Sequence, residues 1–337
     1  MMTFNPNKLK MKSSLLKLML VIAACGIDAP VSAQPTTFTI VPTFDSSITS
    51  DANYLMIEAG INAAISQMES YIANPVTDDI TFHEVSDPTV LGESTTYFTP
   101  ISYGTYLSDL QHHQTLSAAD NTALSSLPAG PNNPVNGAAN VNVAVSLLRA
   151  VGGFGAGYDS TITLNTSHMN LSRTGSQTPS FYDLEAVALH EITETLGAGG
   201  AGSGIGSGTV GTMDLFRYSA PGVRSYTTSS SATAYFSING GATSLRPFNQ
   251  AGGGSDYADW AGTANPHVQD AFGTPGSQPN LDGIELAALD SVGYGLTQAG
   301  TDLELSAVPE TGGSLALMCV GLIVAVAGYH KRTHKTG

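Results

Sequence analysis

Apolar side chains return at helical spacing between residues 57 and 72. Ile57, Ile61, Ala64, Ile65, Met68 and Ile72 fall at i, i+4, i+7, i+8, i+11 and i+15, which predicts one buried face of a long amphipathic helix, with Pro75 just past its end. A different period flanks it. Phe38 to Pro42 and Ile80 to Val85 alternate as strands do, and Ser160 to Asn165 repeats that pattern. Tyr106 to His113 reads as a short helix, and Val141 to Val145 reads either as a strand or as the start of a helix. A loose stretch rich in Asn, Pro and Gly surrounds Pro128 to Asn142.

A second strongly patterned helix follows Ser180, a candidate N-cap with Asp183 completing a capping-box pattern, and Gly197 is placed to end it. The run from Ala198 to Gly208 is too rich in glycine to hold a shape unaided. Tyr235 to Ile238, Asn239-Gly240 and Leu245 to Phe248 predict a hairpin, and Ile284 to Val292 a last helix stopped by Gly293. These elements predict an α+β fold: a mixed sheet with one long helix, then the second helix, then a mostly irregular lower part.

The two ends of the 337-residue chain stand outside this pattern. Lys8, Lys10, Lys12 and Lys17 precede an apolar run and Val31-Ser32-Ala33, the layout of a secretory signal peptide cut after Ala33. Ile22-Ala23-Ala24-Cys25 allows a competing lipoprotein reading, with Cys25 lipidated. At the other end Val308-Pro309-Glu310-Thr311-Gly312 precedes an apolar stretch from Leu315 to Gly328 and then His330-Lys331-Arg332. This resembles the PEP-CTERM sorting signals handled by exosortase, although Thr311 departs from that pattern and Val-Pro-Glu-Thr-Gly also resembles a sortase signal. The resemblance implies export, transient residence of the tail helix in the membrane, and a final place at the cell surface, outer envelope or matrix; an ordinary tail anchor left in place is the alternative. The expected division is therefore signal peptide 1–33, a domain at 34–303 with an upper part 34–197 and a lower part 198–298, and a sorting tail 304–337.

Between residues 34 and 308 there is no lysine, and five arginines face 25 acids, a net charge of −20. Phosphate backbones need a basic patch, so nucleic acid is not an expected partner. Cys25 and Cys319 are the only cysteines, and both fall in the terminal segments, so the domain is expected to have no disulfide.

The chemistry concentrates in His190-Glu191-Ile192-Thr193-Glu194. On a helix, positions four apart share a face, so His190 and Glu194 can grip one cation with Glu191 beside it. The run to Gly200, followed by Thr212-Met213-Asp214-Leu215-Phe216-Arg217-Tyr218-Ser219, resembles the metzincin branch of the zincins and a group of exported PEP-CTERM metalloproteases. His190, Glu191 and Gly197 match the metzincin pattern His-Glu-x-x-His-x-x-Gly-x-x-His/Asp; Glu194 replaces its second histidine, and Gly200 stands where its third ligand belongs. The segment around Met213 resembles the methionine turn.

What the resemblance implies is a zinc-dependent endopeptidase acting on protein or peptide substrates, with Glu191 as general base and His190 and Glu194 as ligands. One histidine with two carboxylates also leaves Mn²⁺ or Ca²⁺ open. Asp214 is the expected third ligand, with His267 as second choice, and Tyr218 is a candidate oxyanion donor. Asp256 and Asp259 beside Trp260 could hold Ca²⁺ but read first as solvated loop acids, and His83, His112, His113 and His168 read as ordinary strand, helix or loop residues. The competing expectation is an inactive zincin-like surface protein binding Ca²⁺ or polysaccharide.

Overall fold

The structure is a computed structural model that describes residues 37–308, apart from 87–89, 113–116, 154–159 and 251–255. Along the chain its elements run β1 (Thr39–Phe44), α1 (Ser46–Thr49), α2 (Tyr54–Tyr71), β2 (Thr77–Glu84), β3 (Gly92–Thr95), β4 (Phe98–Ser102), α3 (Tyr103–His112), α4 (Ala118–Ser125), β5 (Asn140–Ala144), α5 (Val145–Ala150) and β6 (Ser160–Leu164). They continue as β7 (Met169–Asn170), β8 (Tyr182–Asp183), α6 (Leu184–Thr195), β9 (Arg217–Ala220), β10 (Val223–Arg224), β11 (Tyr235–Phe236), β12 (Arg246–Pro247), α7 (Gly283–Val292) and α8 (Gln298–Ala307). The fold class is α+β.

The main sheet has the order β1-β2-β6-β3. Its first three strands are parallel, and β3 closes one edge antiparallel to β6, with Ser94 opposite Ile162. Period-two alternation turns Ile40, Ile80, Phe82, Ile162 and Leu164 into the core. The predicted stripe of α2 is buried as expected: Ile57, Ile61, Ala64, Ile65 and Met68. Gly60 brings α2 close to α6, because a Cβ there would lie 2.8 Å from Leu184 Cδ2.

α6 begins three residues later than Ser180 suggests. Asp183 is itself the N-cap, its carboxylate accepting from the Ala186 amide at 2.8 Å, while Tyr182–Asp183 is held extended against β7. Gly197, at φ +83°, takes the left-handed turn that ends the helix region. The ambiguous 141–145 segment resolves both ways, as strand β5 running directly into helix α5.

The lower part is less irregular than its sequence suggests. It carries a small antiparallel sheet, β10-β9-β11-β12, around an aromatic cluster of Phe236, Phe248 and Trp260. Asn239-Gly240 does not make a two-residue hairpin: β11 pairs with β12 across residues 237–245, since Phe236 faces Arg246 and Tyr235 faces Pro247. α7 ends at Gly293 as predicted but is not the last helix. α8 follows, packs against α2 and α7, and runs through the boundary expected at 303/304.

Among the described residues no helix is long and apolar enough to cross a membrane. The expected signal peptide, the apolar stretch from Leu315 to Gly328, both cysteines and His113 lie outside those residues.

Candidate metal centre

α6 and the segment 256–270 face each other across an open cleft of about 440 Å³, walled on one side by β3. On α6 the i, i+4 spacing puts His190 and Glu194 on the same face: His190 Nε2 lies 3.7 Å from Glu194 Oε1 and 3.6 Å from Asp259 Oδ2. These three side chains form one group of mutually close ligand atoms. Zinc bonds of 2.0–2.2 Å in a tetrahedron separate ligand atoms by about 3.4 Å. The spacing found here fits a single cation.

Each of the three has its outer atom fixed by a neighbour. His190 Nδ1 lies 2.9 Å from the Val268 carbonyl, which as acceptor keeps a proton on Nδ1 and leaves the Nε2 lone pair facing inward. Glu194 Oε2 accepts from the Ser94 hydroxyl on β3 at 2.6 Å, while Oε1 is the oxygen on the His190 side. Asp259 Oδ1 accepts from the Gly200 amide at 2.6 Å and from Gln269 Nε2 at 2.8 Å, leaving Oδ2.

Gly200 thereby acquires a reason. A Cβ at that position would lie 2.5 Å from Glu194 Oε1 and 2.1 Å from the Asp256 Cβ, so no side chain fits. Gly200, which offers no side-chain ligand, instead donates its amide to Asp259, which comes from another loop and joins His190 and Glu194 in the cluster. Asp259 is 1 % exposed, so it is not the solvated loop acid its sequence context suggests. Asp256 is exposed and lines the cleft.

Glu191 is 5 % exposed and also lines the cleft. Its carboxylate rests on the bare backbone of Gly92, where a Cβ would come within 2.3 Å of Oε1. Electrostatics make this floor hungry for positive charge. Burial pushes Glu191 well above the usual carboxylate range, with Glu194 adding to it, and burial also raises Glu194 and pushes Asp259 up to about 8, both against the pull of His190. For His190, burial acts to lower the pKa, but Asp259, Glu191 and Glu194 outweigh it and push it up to about 10. No lysine or arginine is among the described residues lining the cleft. A proton on His190 and a divalent cation compete for the same place.

The other expected site residues lie elsewhere. Asp214 is buried with both oxygens committed: Oδ1 accepts from the Ser203 hydroxyl at 2.7 Å and Oδ2 from the Gly204 and Gly211 amides, each at 2.8 Å. It stitches the glycine loop closed and is not part of the ligand group. Met213 supports the same loop, since a Cβ on Gly202 would lie 2.3 Å from its Cγ. Tyr218 is buried outside the cleft, its hydroxyl accepting from Arg224 and its ring under the Arg224 guanidinium. Arg217 donates to the carbonyls of Tyr257 and Asn249 and lies 4.5 Å over the Phe248 ring, which pins the segment leading to Asp259. His267 lines the cleft, but its Nδ1 is 2.6 Å from Asp282 Oδ2. His83 and His112 lie on β2 and α3, bonded to Asp45 and the Ser108 carbonyl, and His168 lies in a short 3₁₀ turn.

Searches against family models, curated proteins and solved structures find no match to this chain.

Proposed function

We propose that this protein is an exported metal-dependent endopeptidase of zincin-like, metzincin-type arrangement, with His190, Glu194 and Asp259 as ligands and Glu191 as general base. The observation that carries this reading is the common posture of the three ligands: each commits its outer atom to a neighbour and turns its inner atom to one point. One imidazole and two carboxylates accept Zn²⁺, the first candidate, and the oxygen-rich side also suits Mn²⁺ or Ca²⁺. A bound divalent cation supplies Lewis-acid polarisation of a carbonyl and makes a nearby water more acidic.

The chain's own residues do the rest. Glu191, buried beside that point and kept easy to protonate by its surroundings, takes the proton from an attacking water and returns it to the leaving amine. Among the described residues β3 has a strand partner on one side only, and its residues Gly92, Glu93 and Ser94 line the cleft. An extended peptide can add to that edge as a further strand, which would lay its backbone across the centre. The basic and apolar character of the two ends supports delivery outside the cytoplasm and processing by an exosortase-type enzyme.

Elemental analysis of the purified protein and a Glu191→Gln variant test the reading. One equivalent of metal in both, with proteolysis lowered by at least about 10²-fold in the variant, is expected. Metal-free protein from a chelator-free preparation sinks it. Stoichiometric metal without cleavage of any protein substrate would instead favour the inactive surface-protein alternative that binds Ca²⁺ or polysaccharide.

A further inference from the structure

The second cluster of potential ligands, His267, Asp282 and Glu285, lies at the start of a helix. Asp282 is the N-cap of α7, accepting from the Ile284 and Glu285 amides, and Glu285 Oε2 accepts from the Asp282 amide at 2.8 Å. The other oxygen of Glu285 is the informative one. It accepts from the backbone amide of Gln269, also at 2.8 Å, and Glu285 is fully buried. The helix terminus therefore holds the strip of chain that walls the cleft, and the His267–Asp282 pair and the Arg246–Asp270 ion pair hold it as well.

Gln269 carries this anchorage inward. It is 1 % exposed, and its Nε2 lies 2.8 Å from Asp259 Oδ1 and 3.4 Å from His190 Nε2. Its amide fills the space left by Gly199: a Cβ on that residue, at φ +62°, would come 2.2 Å from Gln269 Nε2. A buried amide donor so placed fixes which oxygen of Asp259 faces His190. Without it, only the Gly200 amide would hold the outer oxygen of Asp259.

Resting on the metal-site reading above, we infer that Gln269 is a positioning residue for the centre. It aligns the Asp259 carboxylate, and the α7 capping box, through Glu285, is its foundation. The ligand geometry is then set by a relay running from α7 through Glu285 and Gln269 to Asp259. This accounts for a glutamine in the interior and for the acidic cluster at the start of α7.

The test is titration of the full chain with Co²⁺, whose visible absorption reports ligand geometry, in the wild type, Gln269→Leu and Gln269→Met. Outer-sphere partners of metal ligands typically govern affinity by about 10- to 100-fold. A Co²⁺ Kd weakened by that factor, with shifted absorption bands in a protein that still folds without metal, is expected. The unbranched methionine matches glutamine in length and decides the matter if the leucine variant does not fold. Wild-type uptake of Co²⁺ with affinity and spectrum indifferent to residue 269 would overturn this inference alone. No uptake by the wild type would overturn the metal-site reading and this inference with it.

Discussion

The upper and lower parts of the molecule are held together by different means. In the upper part, regular ladders and an apolar stripe do the work: Ile61, Ala64 and Met68 on α2 are buried in the hydrophobic core with no side-chain hydrogen bond to place. In the lower part, buried polar side chains fasten loops to one another. Asp214 closes the glycine loop, Arg217 pins the carbonyls of Tyr257 and Asn249, and Gln269 holds Asp259. The candidate centre draws two ligands from the first kind of structure and one from the second. Its helical half is positioned by a periodic backbone, whereas its third ligand is only as well placed as a set of individual hydrogen bonds.

The sharpest way to break this contrast is to remove one fastener and one core side chain. Asp214→Ala leaves the Ser203 hydroxyl and two buried amides without their acceptor, for an expected loss of about 3–5 kcal/mol, as large as Ile61→Ala in the upper core. Chemical denaturation of both variants checks it; an Asp214 variant within about 1 kcal/mol of wild type would mean that the lower loops hold by other means.

Gly200→Ala probes the seam between the two parts. The added methyl is forced against Asp256 and Glu194, so a destabilisation of about 1–3 kcal/mol and weaker metal uptake are expected. Calorimetric titration with Zn²⁺ would show whether uptake is indifferent to the methyl, which would contradict the tight seam.

A buried carboxyl pair that does not line the cleft, Asp120 and Asp290, yields a pH prediction. Burial raises Asp120, capping α4, to about 6, and raises Asp290 of α7 well above the carboxylate range. Both groups bind protons more tightly folded than unfolded, so their contribution is complete below about pH 4 and is lost as pH rises through the folded values. Denaturation midpoints are therefore expected to fall from pH 5 to pH 7.5. Asp290→Asn, whose amide can donate to Asp120 while still accepting from Ser117, should recover about 1–3 kcal/mol at the higher pH. An identical slope in wild type and variant would remove the pair from the account.

The smallest effect is expected at Ser94. Ser94→Ala deletes the hydroxyl that holds Glu194 Oε2 and should lower stability by about 1 kcal/mol and metal affinity by about 10-fold. An unaltered affinity would mean that α6 alone orients Glu194.

The same contrast decides what could be read from the chain beforehand. Periodic signals are local, so the stripe from Ile57 to Ile72, the alternation in Ile80 to Val85 and the turn at Gly197 translate directly into α2, β2 and the end of α6. His190 and Glu194 share a helical face for the same reason. Asp259 meets them through contacts between distant loops, and no spacing rule links position 259 to 194; its one visible mark is a second acid near the only tryptophan. From sequence Asp214 reads as a ligand because a carboxylate after a glycine loop can be either a ligand or a clasp, and the three hydrogen bonds that make it a clasp come from residues 203, 204 and 211. Gly200 reads as a missing ligand when spacing alone is counted. In three dimensions a side chain there would collide with Asp256 and Glu194, and its amide is what holds Asp259.

Glu194 and Asp259 are 65 positions apart, and a cation shared between them would tie that stretch into a ring. Closing a ring of this span removes freedom from the unfolded chain worth about 4 kcal/mol, the magnitude of a disulfide bridge. Both cysteines lie outside the described residues, so chelators, and not reductants, would be the reagents that loosen this fold.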